Sequence, residues 1–225
     1  MARRHYLSFD VGIRNLAYCW LSVDPELSLR HADAVQIHDW SIIDLDKVSS
    51  IETCCKRLVK VLHDKFAESA NFKTDSKLHV FIERQPRGRS AIMMAIQMFI
   101  CCFFEYQNCV SQDCHNKIQF VNAGKKLSLV KFFRDELGMK QEEVDTVPKN
   151  QVETVPKNTK KAAKAKLQRI KYTDNKRVAV QMCKFYLENV SQDYANLALL
   201  DAYPKKDDLC DAFLQAFAIV LETKK

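Results

Sequence analysis

Two short apolar runs, each ending on an acid, constrain the fold of this 225-residue chain more than any other feature. Residues 6–10 (YLSFD) read as a strand closing on Asp10, and residues 77–83 (KLHVFIE) as a buried strand closing on Glu83. Residues 15–23 and 34–43 read as further strands, with Gly12 marking the tight connection after the first. Three short strands in succession suggest an antiparallel start. Residues 51–68 place Ile51, Cys54, Cys55, Leu58, Val59, Leu62 and Phe66 at helical spacing, as a core-facing stripe. Ser90 can cap a long apolar helix running to about residue 106. A strand over 117–122, a helix over 127–137 terminated by Gly138, and helices over 174–189 and 209–221 complete the pattern. The fold class is α/β, a mixed sheet covered by helices.

The chain suits one domain with an insert. Hydrophobic residues make up 47% of it, enough to bury a core and to argue against global disorder. The insert spans about residues 140–172. It contains the imperfect repeat VDTVPKNQVETVPKN at 144–158, whose prolines and polar filling argue for an extended loop. Slippage of a coding repeat in a tolerant loop accounts for the duplication without any chemistry. Residues 157–177 hold nine Lys or Arg and one acid, Asp174. The formal charge of +7 permits a polyanionic partner, and this local run says more than the total. Nine cysteines, an odd count, argue against a fully paired disulfide scaffold and for buried free thiols. Cys109, Cys114 and His115 have poor spacing for a zinc knuckle, and no second pair accompanies them. The apolar helix over 91–104 is interrupted by polar residues and reads as shorter than a membrane span. No secretory signal is visible, so a soluble intracellular protein is expected.

Asp10 and Glu83 end strands, and Asp208 and Asp211 open the last helix three residues apart, on one face. If the two strands are adjacent and parallel, Asp10 and Glu83 emerge at the same edge. Two-metal phosphodiester hydrolysis needs such converging carboxylates, which would otherwise repel and raise one another's pKa. Magnesium prefers oxygen ligands of this kind. Singly, each acid has a plainer reading: strand-end acids face solvent in turns, and acids at a helix start are caps, as Asp207 could be.

Three segments carry a more specific signal: SFDVGIRNLAYC (8–19), FIERQPRGRS (81–90) and KKDDLCDAF (205–213). In this order and at these separations they resemble the RuvC-like Holliday junction resolvases, over residues 6 to about 219. They look nearest to the branch holding the fungal mitochondrial and large-DNA-virus (poxvirus and iridovirus) enzymes. The resemblance implies an RNase H-like fold with a five-stranded mixed sheet flanked by helices. It implies metal ligation by Asp10, Glu83, Asp208 and Asp211, with Asp207 adjacent as an auxiliary or replacement ligand. Two Mg²⁺ ions per site are implied, Mn²⁺ substituting, with no other cofactor. The implied activity is paired symmetric nicking of four-way DNA junctions by a homodimer, leaving 5′-phosphate and 3′-hydroxyl ends. The apolar helix over 91–104 is a candidate dimer element, with packing on the sheet as the alternative. The first motif starts almost at Met1, which favours a compact viral enzyme, in host cytoplasm, virus factory or nucleus, over a mitochondrial one.

Candidate DNA contacts are Arg14, Arg84, Arg87 and Arg89 near the acids, Lys125 and Lys126 before a helix, and Lys160, Lys161, Lys164, Lys166, Arg169 and Lys171 in the basic run. Guanidinium forks suit phosphate oxygens, and a basic run gives salt-dependent affinity without sequence readout. Solubilising charge is the plainer alternative. Asn15 can stabilise its turn or orient Asp10. Tyr18 and Tyr203 are possible substrate contacts; Phe81 and Phe120 read as core. Competing functions are another RNase H-like nuclease acting on flaps or RNA–DNA hybrids, and a non-catalytic branched-DNA-binding module. A sugar-kinase-like ATPase lacks its glycine-rich phosphate loop here.

Overall fold

The computed structural model describes residues 2–45, 50–67, 77–86, 88, 90–111, 115–140 and 174–224. Five strands form one sheet: β1 (Arg4–Asp10), β2 (Asn15–Val23), β3 (Val35–Asp44), β4 (Leu78–Arg84) and β5 (Lys117–Asn122). Their order is β3-β2-β1-β4-β5. The first three strands pair antiparallel, while β1–β4 and β4–β5 pair parallel, so the sheet is mixed as its sequence suggests. The parallel β1–β4 pairing is the adjacency on which the meeting of Asp10 and Glu83 depends.

Helices cover both faces. On one lie α1 (Ile51–Leu62), extended by a π-helical turn to Ala67, and α2 (Ala91–Val110). On the other lie α3 (Leu129–Asp135), α4 (residues 174–185, followed by the π-helical turn Tyr186–Val190), α5 (Tyr194–Ala202) and α6 (Lys206–Thr223). Strand alternation divides the core accordingly. Leu7, Phe9, Val80 and Ile82 pack with Leu58, Ile96, Ile100 and Phe104 on the first side. Tyr6 and Phe81 pack with Phe133, Tyr186, Phe213 and Phe217 on the other. Full burial of such apolar side chains contributes roughly 1.5–3 kcal/mol each, so both layers are held firmly. The same parity puts Asp10 and Glu83 on the α6 side, in step with Tyr6 and Phe81.

Several expectations need revision. The last helix begins at Lys206 rather than 209, which brings Asp207 and Asp208 inside its first turn. There they complement the positive end of the helix dipole. Helix α5 had no counterpart in the sequence pattern. Ser90 occupies the α2 N-cap but makes no side-chain capping bond. Helix α2 is 20 residues long, not shorter than a span, and is long and apolar enough to cross a membrane. Its inner face nonetheless packs on the sheet and α1 through Ile96, Ile100, Phe103 and Phe104. Its outer face leaves Met98, Tyr106, Val110, Cys102 and Cys109 exposed, so the thiols are not uniformly buried. Phe81 is core, as expected, and Phe120 is partly buried against the first layer. Arg87, Arg89, Cys114 and the insert beyond residue 140, with Lys160, Lys161, Lys164, Lys166, Arg169 and Lys171, lie outside the described residues.

Candidate active site

The C-terminal ends of β1 and β4 open into a cleft of about 720 Å³, lined by Asp10, Glu83, Asp208 and Asp211. Three separate parts of the chain deliver these acids. Phe9 pairs with Ile82, so the next residues, Asp10 and Glu83, stand side by side at the strand ends. Helix α6 crosses β1 and β2 and supplies Asp208 and Asp211 from its first turns. Gly12 allows the β1–β2 turn to close over the site. A Cβ there would lie 2.4 Å from the Asn15 carbonyl oxygen, so only glycine fits.

Asn15 bonds Asp208 rather than Asp10: its side-chain amide donates to Asp208 Oδ2 at 3.0 Å. Glu83 Oε2 accepts from the Val11 backbone N–H at 3.3 Å and from the Gln85 amide at 3.0 Å. Lys126, from the turn Ala123–Ser128, forms an ion pair with Asp211. Lys176, in the first turn of α4, pairs with Asp207 and reaches Asp208 at 3.9 Å. The doublet therefore divides: Asp208 faces the cleft, while Asp207 turns to Lys176.

The electrostatics follow from burial and crowding. Asp10 has its pKa driven well up, by burial first and then by the neighbouring charges of Glu83 and Asp211. Asp211 and Asp208 are also raised, mainly by burial, with Asp207 adding to the shift at Asp208. Asp207 is lowered: burial pulls it upward, but the hydrogen bond and charge of Lys176 outweigh that. For Lys126, burial opposes its charge, yet Asp211, Asp10 and Glu83 together raise its pKa.

Such a set of carboxylates fits a hard divalent cation by its chemistry, being all oxygen donors under mutual strain. Asp211 Oδ1 adds a sharper indication: it is buried with no hydrogen-bond partner. Among the described residues, however, no three His, Cys, Asp or Glu side chains already stand around one point as ion ligands. Two lysines occupy carboxylates there instead.

The remaining candidates separate by position. Arg14 and Arg84 are exposed and line the cleft. Lys125 pairs with Glu222 and does not line it. Tyr18 is buried in the core, donates to Asp39 and has no access to substrate. Tyr203 is half-buried, with its hydroxyl 3.5 Å from Ser41 Oγ. Lys176 and Gln85 are the residues that pattern reasoning passes over. The signal for Gln85 was a polar residue two positions beyond the acid near a strand end; Lys176 was one cation among nine in the basic run.

The five-stranded mixed sheet, with helices on both faces and acids at the ends of β1 and β4 and on the last helix, is the α/β architecture of the RNase H-like, RuvC-type proteins. The chain belongs to the family described as mitochondrial resolvase Ydc2 / RNA splicing MRS1, whose model matches residues 6–225. It is thus a member of the RuvC-like Holliday junction resolvase superfamily. Among solved structures it is similar to the yeast mitochondrial Holliday junction resolvase Ydc2. The identity is 18%, with 96% of this chain and 78% of that one covered, at a TM-score of 0.52. It is also similar to the Fowlpox virus resolvase in complex with Holliday junction DNA, at 16% identity, 98% and 99% coverage and a TM-score of 0.47. For Thermus thermophilus RuvC the identity is 11%, the coverage 98% and 95%, and the TM-score 0.48. No curated protein sequence matches the chain. At 18% identity the likeness to the yeast structure is one of fold.

Proposed function

We propose that the protein is a structure-selective endonuclease that resolves four-way DNA junctions by paired, symmetric, metal-dependent hydrolysis. The observation that carries this reading is the convergence of Asp10, Glu83, Asp208 and Asp211 on one open cleft bordered by exposed arginines. In it Asp10, Glu83, Asp208 and Asp211 hold two Mg²⁺ ions, or Mn²⁺ in their place. When bound, the ions polarise the scissile phosphate and lower the pKa of an attacking water. Asp207 stays bound to Lys176 and serves the site only through charge. Arg14 and Arg84 contact phosphates flanking the cut, and Lys126 balances charge beside Asp211. The basic run, with Lys160, Lys161, Lys164, Lys166, Arg169 and Lys171, grips the junction arms by their backbones. The products carry 5′-phosphate and 3′-hydroxyl ends.

Two like cuts need two equivalent sites, so the working unit is a homodimer. The exposed outer face of α2, with Met98, Tyr106 and Val110, supports a self-association seam. We read the chain as one domain carrying the basic, repeat-bearing insert at 140–172. The family description also names an RNA-splicing protein, and lysines seated on Asp211 and Asp207 would suit a binding module as well.

The test is cleavage of an immobile four-way junction beside linear duplex and an RNA–DNA hybrid, in Mg²⁺ or EDTA. Asp10→Asn and Asp211→Asn are run in parallel, with binding measured separately. Paired symmetric nicks that both variants lose while still binding are the expected result. An intact junction in Mg²⁺ and Mn²⁺ would turn the assignment to a non-catalytic binding module. Cleavage confined to the hybrid would change the substrate.

A further inference from the structure

Among the described residues five polar side chains are buried: Ser8, Ser22, Gln85, Gln97 and Gln215. Burying an amide is costly unless its hydrogen bonds are met, so three buried glutamines require a reason. All three stand behind the acids. Gln215, one turn beyond Asp211 on α6, donates to Ser8 Oγ at 2.9 Å and to the Phe9 carbonyl at 3.3 Å, just before Asp10. The other two form a chain. Gln97 Oε1, on α2, accepts from the Gln85 backbone N–H at 2.6 Å. The Gln85 side-chain amide then donates to Glu83 Oε2 at 3.0 Å and to the Val11 carbonyl at 3.4 Å. The Val11 N–H meets the same Glu83 oxygen.

We propose that Gln85 is a positioning residue for Glu83, and that Gln97 clamps it, so that the seating of α2 sets the aim of this acid. Two donors on one carboxylate oxygen fix its rotation and present the other oxygen to the cleft. A neutral amide does this without bringing a cation that would compete with a metal ion, as a lysine would. Gln97 projects from the helix whose opposite face is exposed and apolar, between the buried Ile96 and the exposed Met98. Packing along α2 is therefore linked through three side chains to the cleft. The inference rests on the proposed metal-dependent site and goes further, naming how one ligand is held and from where.

The experiment uses the full chain with Gln85→Ala, Gln85→Glu and Gln97→Met, and Asp10→Asn as the reference. Mn²⁺ binding is measured by calorimetry without DNA, junction binding in EDTA, the Mg²⁺ dependence of cleavage, and the thermal midpoint. Gln85→Ala is expected to weaken Mn²⁺ binding by roughly 10–100-fold and to raise half-saturating Mg²⁺ by a similar factor. Junction binding in EDTA stays unchanged, and cleavage recovers at saturating metal, which a group acting on the substrate itself would not allow. Gln85→Glu places a like charge beside Glu83 and removes the donor, so saturating metal recovers cleavage less fully. Gln97→Met shifts metal dependence in the same direction by less, and carries the test if Gln85→Ala fails to fold. Folded Gln85→Ala and Gln97→Met with wild-type Mn²⁺ affinity, while Asp10→Asn has lost it, would overturn this inference alone. Absence of Asp10-dependent Mn²⁺ binding in the unaltered protein would overturn the proposed function with it.

Discussion

Asn15 and Asp208, 193 residues apart, are joined by a 3.0 Å hydrogen bond from the Asn15 amide to Asp208 Oδ2. The bond links the β1–β2 turn to the start of α6, and it distinguishes Asp208 from its neighbour, which Lys176 holds. Asn15→Ala is expected to lower metal-dependent cleavage by about 10–100-fold, mostly through weaker metal binding, because the carboxylate loses its orientation. Asp208→Asn should abolish cleavage, and Asp207→Asn should cost less than either. Single-turnover rates across a Mg²⁺ series check the order; a larger loss in Asp207→Asn would reverse the assignment of the doublet.

Gly12 sets up that bond. A methyl group on its Cα would meet the Asn15 carbonyl oxygen at 2.4 Å, which the backbone cannot accept in place. Gly12→Ala should therefore destabilise the fold by about 1–3 kcal/mol, the usual range for forced overpacking. It should also impair cleavage as Asn15→Ala does, because the turn carrying Asn15 must move. Urea unfolding and the cleavage assay, run on the same sample, test both parts.

The alternation of apolar and polar positions made much of this site legible. Residues 6–10 and 77–83 are apolar enough to be central strands, and an acid at the end of such a strand has few places to go but a sheet edge. That the two strands touch was not legible: β1 and β4 pair across the intervening β2, β3 and α1, and no local pattern encodes a parallel pairing. Asn15 was visible as a turn residue, but its partner lies on the last helix, so Asp10 seemed the nearer candidate. Helix α5 escaped because YANLALLDA scatters apolar residues around the helix instead of gathering them on one stripe. Tyr18 misled for a related reason: phenol chemistry suits substrate contact, but its place on a central strand buries it against Phe9 and Phe66.

Far from the acids, His5, Trp20 and His38 cluster near the start of β1: the two histidines stack with centroids 5.5 Å apart, and Trp20 lies tilted 4.6 Å from His38. Burial lowers the pKa of both histidines, and Arg3 adds to this; at His38 the His5 ring does so as well. A depressed folded-state pKa means the unfolded chain takes up protons first. Their contribution is therefore whole above the ordinary value near 6.5 and is lost as pH falls through the folded-state values. The thermal midpoint should drop between pH 7.5 and 5, and His38→Gln should flatten that dependence. An unchanged slope in the variant would remove these rings as its source.

Lys126 gives the sharpest separation between holding metal and holding substrate. Its ammonium pairs with Asp211 and feels Asp10 and Glu83, so it would compete with a cation held by these acids. Lys126→Met removes that competitor, so metal affinity should hold or rise. It also removes a half-buried positive charge from the cleft where the proposed substrate phosphate would sit, and a preorganised charge of this kind supports transition states by about 10²–10³-fold in rate. Cleavage at saturating Mg²⁺ should fall within that range. If Lys126 touches a phosphate in the bound state, the salt dependence of junction binding should lose about one counterion. Calorimetry with Mn²⁺, single-turnover rates and a salt titration of binding together read all three effects. A variant that binds metal more weakly and cuts at the normal rate once saturated would instead make Lys126 a support for Asp211, with no part in the chemistry.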